Sequence, residues 1–448
     1  MSGVFSFLRR FVWASVFLMA VAFLSGLAGG LAVLRNVEPV ASALKTTNRA
    51  ISYIYLDLFR DAPAGRGWRP ANTPLPENSS PIVRHEVGRA QPGLNLVTAA
   101  TSSSADLVSM DGRVVYSWRL PFSEAWPNPA HVKGYRKDAL FYWRRAHLFP
   151  NGDLLVVYES PDLSPHGMGL AKIDRDSNLL WKLAARARHD VAVDDDGFIY
   201  ILNTAISSDR YPDLPMISPP FFKEAVVKIS PDGKVVARWP IIDAFLNSSF
   251  APVLLRMGDG RNKGDYTHSN TVEYIDARTA AIFPFVKQGQ LLISMRELDV
   301  IAVLDPEEGA IVWSMEGPWH RQHEPQFLGN GNMLIFDNAG HIGPGGRSRV
   351  VEFEPLTGKT VWSYTGTEEE PLYTSALGSQ QRLANGDTLI TESHNGRAIE
   401  VTPDQRIVWE YRHPQRQVVD DRPYITIIFE VLRVDPADLT FLGDAGRP

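Results

Sequence analysis

Cysteine is absent from all 448 residues, so disulfides, thiolate metal sites, zinc fingers and cysteine nucleophiles are excluded outright. That absence does not locate the protein, because reducing and oxidising compartments both tolerate it. No basic cluster interleaved with aromatics appears either. The 45 Lys and Arg residues stand against 51 Asp and Glu, a net charge of −6, which argues against nucleic acid as a partner. What is present begins with one long hydrophobic run. Phe11 to Leu34 is uncharged over 24 residues, enough to cross roughly 30 Å of hydrocarbon as a helix. Arg9 and Arg10 precede it and Arg35 follows. A secretory signal has an apolar core of about 7–15 residues, so the run reads as an uncleaved signal-anchor (11–34). Residues 1–10 are then expected in the cytoplasm and everything downstream exported.

Length alone permits two or three domains, but one repeat-built β domain behind an anchor accounts for the same length. Residues 35–92 read as a helical stalk and linker. Leu44, Ile51, Ile54, Tyr55 and Leu58 approximate a helical stripe, and Asp61 to Pro81 is rich in Pro, Gly, Asn and Ser. From residue 93 to 448 the chain repeats. Six alternating strands turn tightly and return as strands closing on Trp118, Trp181, Trp239, Trp313, Trp362 and Trp409, spaced 47 to 74 residues apart. Between them fall hairpins with Asn-Gly, Asp-Gly or Gln-Gly turns, such as HLFPNGDLLVVY and FLGNGNMLIFD. Alternating the two units makes four-stranded modules, which predicts an all-β, six-bladed β-propeller. The segment YITIIFEVLRVD near the C-terminus is a candidate strand to complete the first blade. The tryptophans read as packing between blades. Ile241 to Asp265 reads as an inserted loop leading into His268.

In such a fold the first strand of each blade lines a central channel. At or just before the start of the candidate first strand in four consecutive blades stand His147, His189, His268 and His323, four of the 11 histidines. Arg296, in LLISMRE, ends the following strand and can reach the same rim. His394 reads as a loop residue past a strand end, His320 and His341 as rim residues. Carboxylates with ligand-like spacing are not evident beside these histidines, and an arginine among them would repel a divalent ion. Neutral imidazole with arginine suits an anionic oxyacid instead: one imidazole nitrogen attacks, while guanidinium and a second imidazole hold the oxygens. No metal is needed if the leaving group is a phenolate of pKa near ~10.

The segments THSNTVEYI, LLISMREL and QHEPQFLGNGNMLIFDN together resemble the bacterial arylsulfotransferases, six-bladed propellers of the cell envelope. The resemblance covers residues ~90 to ~435 with gaps and is most specific from His268 to Asn338. It implies transfer of a sulfuryl group from a phenolic sulfate ester to a phenol, by a ping-pong route, without 3′-phosphoadenylyl sulfate or any cofactor or metal. By motif it implies that His323 is the nucleophile sulfated in passing, and that His268 binds the group and moves the phenolic proton. Arg296 would clamp sulfate oxygens, and His189 would be a further active-site histidine. Asn270 is a neighbour by proximity, and Tyr266, Trp319 and Phe327 are candidates for an aromatic mouth around the phenolic group. With the anchor, the expected location is the bacterial inner membrane, single-pass, with the catalytic domain in the periplasm. Two other readings use the same residues. One is a metal-dependent propeller lyase or hydrolase with the histidines as ligands. The other is a non-enzymatic membrane-anchored propeller in which they merely bind an anion.

Overall fold

The computed structural model describes residues 67–71, 80–132, 138–161, 166–257, 264–339 and 346–443, together with Ser25, Gly26 and Arg35. The expected anchor (11–34) and the stalk helix fall almost wholly outside the described residues. Among the described residues no helix is long and apolar enough to cross a membrane. Arg66–Pro448 forms one compact unit.

That unit is all-β and propeller-like. Among the described residues seven sheets form; five contain four strands that follow one another in antiparallel meanders, and a further one contains three such strands and a fourth from the far end of the chain. In the second of these six, Tyr142–Leu148 is followed by Leu154–Glu159, Gly167–Ile173 and Leu179–Leu183. The third, fourth, fifth and sixth open on Ala187–Val193, Ser269–Tyr274, His323–Phe327 and Ser379–Arg382. The first sheet is completed from the other end of the chain: Ile428–Val434 pairs antiparallel with Leu94–Ala99. Those six opening strands pack each against the next, and Ile428–Val434 packs back against Tyr142–Leu148.

The hairpin turns form as their chemistry requires. Gly152, in the Asn-Gly turn of the second sheet, has φ of +89°, and a Cβ there would lie 2.7 Å from the Phe441 ring; only glycine fits both demands. Second strands such as Leu154–Glu159 are buried along their whole length, because both faces are covered by neighbouring sheets. Outermost strands such as Val235–Pro240 are mostly exposed. One apolar cluster fills each gap between successive sheets, including the gap between the sixth and the first, where Trp409, Tyr411 and Leu389 meet Val97, Ile428 and Val431. The repeat tryptophans sit at these seams. Indole nitrogens donate to backbone carbonyls in the turns of the adjoining sheet: Trp118 to Gly152, Trp181 to Pro231, Trp239 to Pro306, Trp362 to Pro403, and Trp409 to Met110, at 2.9 to 3.0 Å. Trp313 packs on Phe285 instead, centroids 5.1 Å apart.

Two expectations need correction. The stretch 35–92 is not all stalk and linker. Ile82–His85 is a fifth strand on the outer edge of the sixth sheet, paired with Ile407–Arg412. Trp68–Pro70 joins Arg422–Thr426 and Arg416–Val419 in the seventh, three-stranded sheet. Backbone pairing with strands some 340 residues away, invisible to local composition, made these segments structural. Nor is the described part of Ile241–Asp265 a loose loop. Ile241–Leu246 is helical, and Ile241, Ile242, Phe245, Leu254 and Met257 are buried in the cluster between the third and fourth sheets.

Candidate active site

Three histidines arrive from three neighbouring sheets. His189 lies within Ala187–Val193, His268 stands just before Ser269–Tyr274, and His323 opens His323–Phe327. Each is beside a break in strand register: between Arg188 and Val191, between Ser269 and Thr271, and between His323 and Gln326. Such bulges release residues from the ladder and re-aim their side chains. The backbone at His189 and His268 has φ of 62° and 45°, a region that bulky L residues enter only when surrounding contacts compel it.

The His189 and His268 rings lie with centroids 5.0 Å apart, and Arg188 binds both. One of its terminal nitrogens donates to Nε2 of His189 at 2.7 Å and lies 3.3 and 3.4 Å from Nε2 and Nδ1 of His268. The other pairs with Glu224 at 3.2 Å, and Glu224 in turn accepts the Ser269 N–H at 2.7 Å. A guanidinium can only donate, so Nε2 of His189 carries its lone pair. Asp265 Oδ2 lies 2.5 Å from Nδ1 of His268. A carboxylate can only accept, so Nδ1 holds the proton and Nε2 of His268 is left basic.

His323 is positioned by the same logic. Its Nδ1 lies 2.7 Å from Oδ1 of Asn338. The orientation of Asn338 is set on its other side, where Nδ2 donates to the carbonyls of Thr374 and Leu377, both at 2.8 Å. The amide oxygen must therefore face His323, Nδ1 must donate, and the Nε2 lone pair is free. Arg296 follows Leu291–Met295. Its backbone N–H donates to the carbonyl of His268 at 3.2 Å, and its Nε donates to Glu297 at 3.0 Å.

All three rings are held neutral. Burial is the largest influence on His323, followed by the Arg296 charge, and its pKa falls to about 3. Burial and then the charges of Arg296 and Arg188 push His268 well below the ordinary imidazole value, and burial, Arg188 and His268 do the same for His189. These mutual effects tie His189, His268, Arg296 and His323 into one electrostatic cluster. Three neutral imidazoles under guanidinium groups form a site for an anion. Among the described residues no three His, Asp or Glu side chains are grouped as metal ligands would be.

Next to the cluster the axis is closed by Arg145. It pairs with Asp190 at 2.6 Å, with Glu324 at 2.5 Å and with Glu430, bringing carboxylates from the third, fifth and first sheets onto one guanidinium. Burial opposes its charge, but these three partners outweigh burial and raise its pKa. On the other side lies a cavity of about 420 Å³ bordered by Arg145, Thr271, Glu273, Phe327 and Arg382.

Several expected residues lie elsewhere. Tyr266 is buried between the third and fourth sheets; its hydroxyl donates to Met216 O at 3.0 Å and accepts from Ser218 N at 2.9 Å. Phe327 packs at a tilt against Phe283, centroids 4.6 Å apart and ring planes 53° apart, and borders the cavity of about 420 Å³. Asn270 is buried and donates to the Gln322 carbonyl at 2.7 Å, an inter-sheet tie. Trp319 is buried and donates to Asp299 O at 3.0 Å. His147 lies near the end of its strand, not the start, with its ring 4.8 Å from that of Phe149. His394 contacts Ser375 Oγ at 3.2 Å, His320 pairs with Asp299 at 3.0 Å, and His341 is outside the described residues. Sequence reasoning missed Arg144, Arg188, Asp265 and Asn338. Arg188 was adjacent to His189 in RARHD, and that adjacency was the only available signal.

Comparison with known proteins agrees with the chemistry. The family model described as arylsulfotransferase (ASST) matches residues 145–414. No curated protein matches the chain. Among solved structures the chain is similar to a protein of unknown function from Bacteroides caccae, at 14% identity and TM-score 0.46 over 72% of this chain and 94% of that one. It is also similar to a streptogramin B lyase, at 11% identity and TM-score 0.41 over 82% and 97%. A third likeness is to BamB from Moraxella catarrhalis, at 10% identity and TM-score 0.32 over 76% and 82%. Likenesses this distant carry no functional weight.

Proposed function

The chain belongs to the arylsulfotransferase family, and from that premise we propose a six-bladed β-propeller that moves a sulfuryl group from a phenolic sulfate ester to a phenol through a sulfo-histidine at His323. The observation that carries this reading is the Asn338–His323 contact, which leaves a neutral imidazole with its Nε2 lone pair unoccupied. In the first half-reaction that lone pair attacks sulfur. The N–S bond forms, the S–O bond to the aryl group breaks, and the phenolate leaves with the electron pair. The product on the enzyme is a sulfo-imidazolium that keeps its Nδ1 proton, and Asn338 accepts a stronger, charge-assisted hydrogen bond from it. Arg296 stabilises the sulfuryl oxygens as charge shifts.

In the second half-reaction the acceptor phenol gives its proton to Nε2 of His268 as its oxygen attacks sulfur. The S–N bond breaks and its electron pair returns to His323. Asp265, 2.5 Å from Nδ1 of His268, stabilises the imidazolium that forms, and that proton then goes to the departed phenolate or to solvent. Arg188 holds His189 and His268 apart from any cation, which favours an oxyanion over a metal ion as the ligand of this cluster. Anchoring by residues 11–34 in the inner membrane, with this domain in the periplasm, completes the proposal.

Intact mass measurement after brief exposure to a chromogenic aryl sulfate tests the reading. The expected result is a gain of one sulfuryl group on His323, lost on adding phenol, and absent with loss of turnover in His323→Ala. Undiminished turnover by a folded His323→Ala protein ends the proposal.

A further inference from the structure

Of the buried arginines around the cluster, Arg144 stands apart. It is 2% exposed, yet among the described residues it has no hydrogen bond or ion pair, and its Nε is buried without a partner. Its neighbours each pair with a carboxylate, Arg145 with Asp190, Glu324 and Glu430, Arg188 with Glu224, Arg296 with Glu297, although the Arg188 Nε is likewise without a partner. Burying a cation without a counter-charge is costly. Glu324 and Glu430 feel the Arg144 charge, but neither pairs with it; its guanidinium carbon lies 5.0 Å from the Phe429 ring centroid, a contact that leaves the in-plane N–H donors free.

Its position is set by the fold. The register of Tyr142–Leu148 breaks between Trp143 and Arg145, so Arg144 is the residue released from the ladder, as His189 is in the third sheet. The next residue, Arg145, reaches across the axis to Glu324, which is the next residue after His323. Arg144 and His323 thus each precede one member of that ion pair, and the Arg144 charge depresses both His323 and His189.

We propose that Arg144 is a direct ligand of the transferred sulfuryl group, a guanidinium fork from the second sheet that grips its oxygens opposite His323 while Arg296 grips them from the fourth. This deepens, and rests on, the reading of the cluster as a sulfuryl-transfer site. The empty donors then have a function: they face an anion that arrives with each donor and persists through the sulfo-histidine. A cation so placed also attracts the anionic ester toward a nucleophile that is itself neutral.

The experiment compares the full-length protein with Arg144→Met and Arg144→Lys, each checked for a parental melting temperature. A chromogenic aryl sulfate reads the phenolate burst, and inorganic sulfate serves as a competing anion. Arg144→Met is expected to slow the burst about 100-fold, to raise the inhibition constant of inorganic sulfate at least about 10-fold, and to recover partly on adding guanidinium ion. Arg144→Lys keeps the charge but loses the fork, so it should bind sulfate more weakly than the parent and should not respond to guanidinium; it decides the matter if the methionine variant fails to fold. Parental sulfate inhibition in a folded variant, with no rescue, overturns the inference. Failure of the broader reading looks different: the parent protein itself would then acquire no sulfuryl group on His323.

Discussion

Replacing Asn338 with leucine isolates what holds His323 ready. The side chains are similar in volume, so the change removes polar contacts with little change in packing. Three contacts disappear: the acceptor for Nδ1–H of His323 and the donors to the Thr374 and Leu377 carbonyls. Thr374 O keeps a second donor, Ser348 Oγ at 3.0 Å, so the carbonyl of Leu377 and the imidazole N–H bear most of the loss. A buried polar group left unsatisfied costs about 1–3 kcal/mol, so the two give a stability loss of about 2–6 kcal/mol. For a folded body the size of Arg66–Pro448, an unfolding entropy of about 2.1 cal/mol/K per residue turns this into a fall in melting temperature of about 2–7 °C. The effect on rate has a different origin. A neutral hydrogen bond contributes about 1 kcal/mol and a charge-assisted one about 1.5–3, so the contact to Asn338 favours the sulfo-imidazolium over the free ring by about 0.5–2 kcal/mol, or roughly 2- to 30-fold. Loss of the imposed tautomer adds to this, for an expected total of about 10- to 100-fold in the phenolate burst. The assay is stopped-flow release of phenolate from a chromogenic aryl sulfate, with Ser348→Ala as a control that disturbs Thr374 without touching His323. A burst within about twofold of the parent in folded Asn338→Leu, or an equal loss in Ser348→Ala, refutes the reasoning.

Three further outcomes follow from the same geometry. Because the His323 pKa is lowered to about 3 by burial and Arg296, its neutral form persists well into acid, and the burst should show no inflection near pH 6.5 attributable to that ring; an acid limb that disappears in a His323 variant carrying residual activity would contradict this. Burial pushes Glu273 up to about 8, so its folded carboxyl holds a proton that the unfolded chain releases, and stability is lost as pH rises from the unfolded value near 4.5 through 8. Glu273→Gln should therefore melt close to the parent at pH 5 and progressively higher than it toward pH 9, and a constant difference across that range would count against a protonated Glu273. Trp409→Phe removes the indole N–H that joins the sixth sheet to Met110 of the first, and calorimetry should find a loss of about 1–3 kcal/mol; an unchanged melt would mean that this seam contributes nothing through its hydrogen bond.

The repeats, their turns and the tryptophan seams were readable because each is a local property. A hairpin forms from residues adjacent in the chain, and an apolar outer strand closing on an aromatic needs only some neighbouring sheet to cover it. For the same reason His268, Arg296 and His323 could be singled out at strand boundaries that the pattern marks, and His189 two residues inside one. His147 shows where this reasoning failed. It was placed at or just before the start of the strand that precedes the Asn-Gly turn, but that strand begins earlier, at Tyr142, and the residue released at its bulge is Arg144. Bulges shift side-chain direction by one position and leave no compositional trace. Tyr266 and Phe327 failed differently, since an aromatic beside a motif looks the same whether it faces a ligand or a core.

What the sequence determined alone was an all-β chain of repeated four-strand units with imidazoles and guanidinium groups at the strand boundaries, because hydrophobic period, turn chemistry and charge sign are all set by near neighbours. Which of those groups meet, which tautomer each ring adopts and which arginine is left without a paired carboxylate were decided only by tertiary structure. His323 takes its proton placement from an amide fixed by carbonyls 36 and 39 residues beyond it, and Arg145 is neutralised by Glu430, 285 residues away. Such contacts are made when sheets close around an axis, and pairing across that distance has no signature in any short stretch of chain.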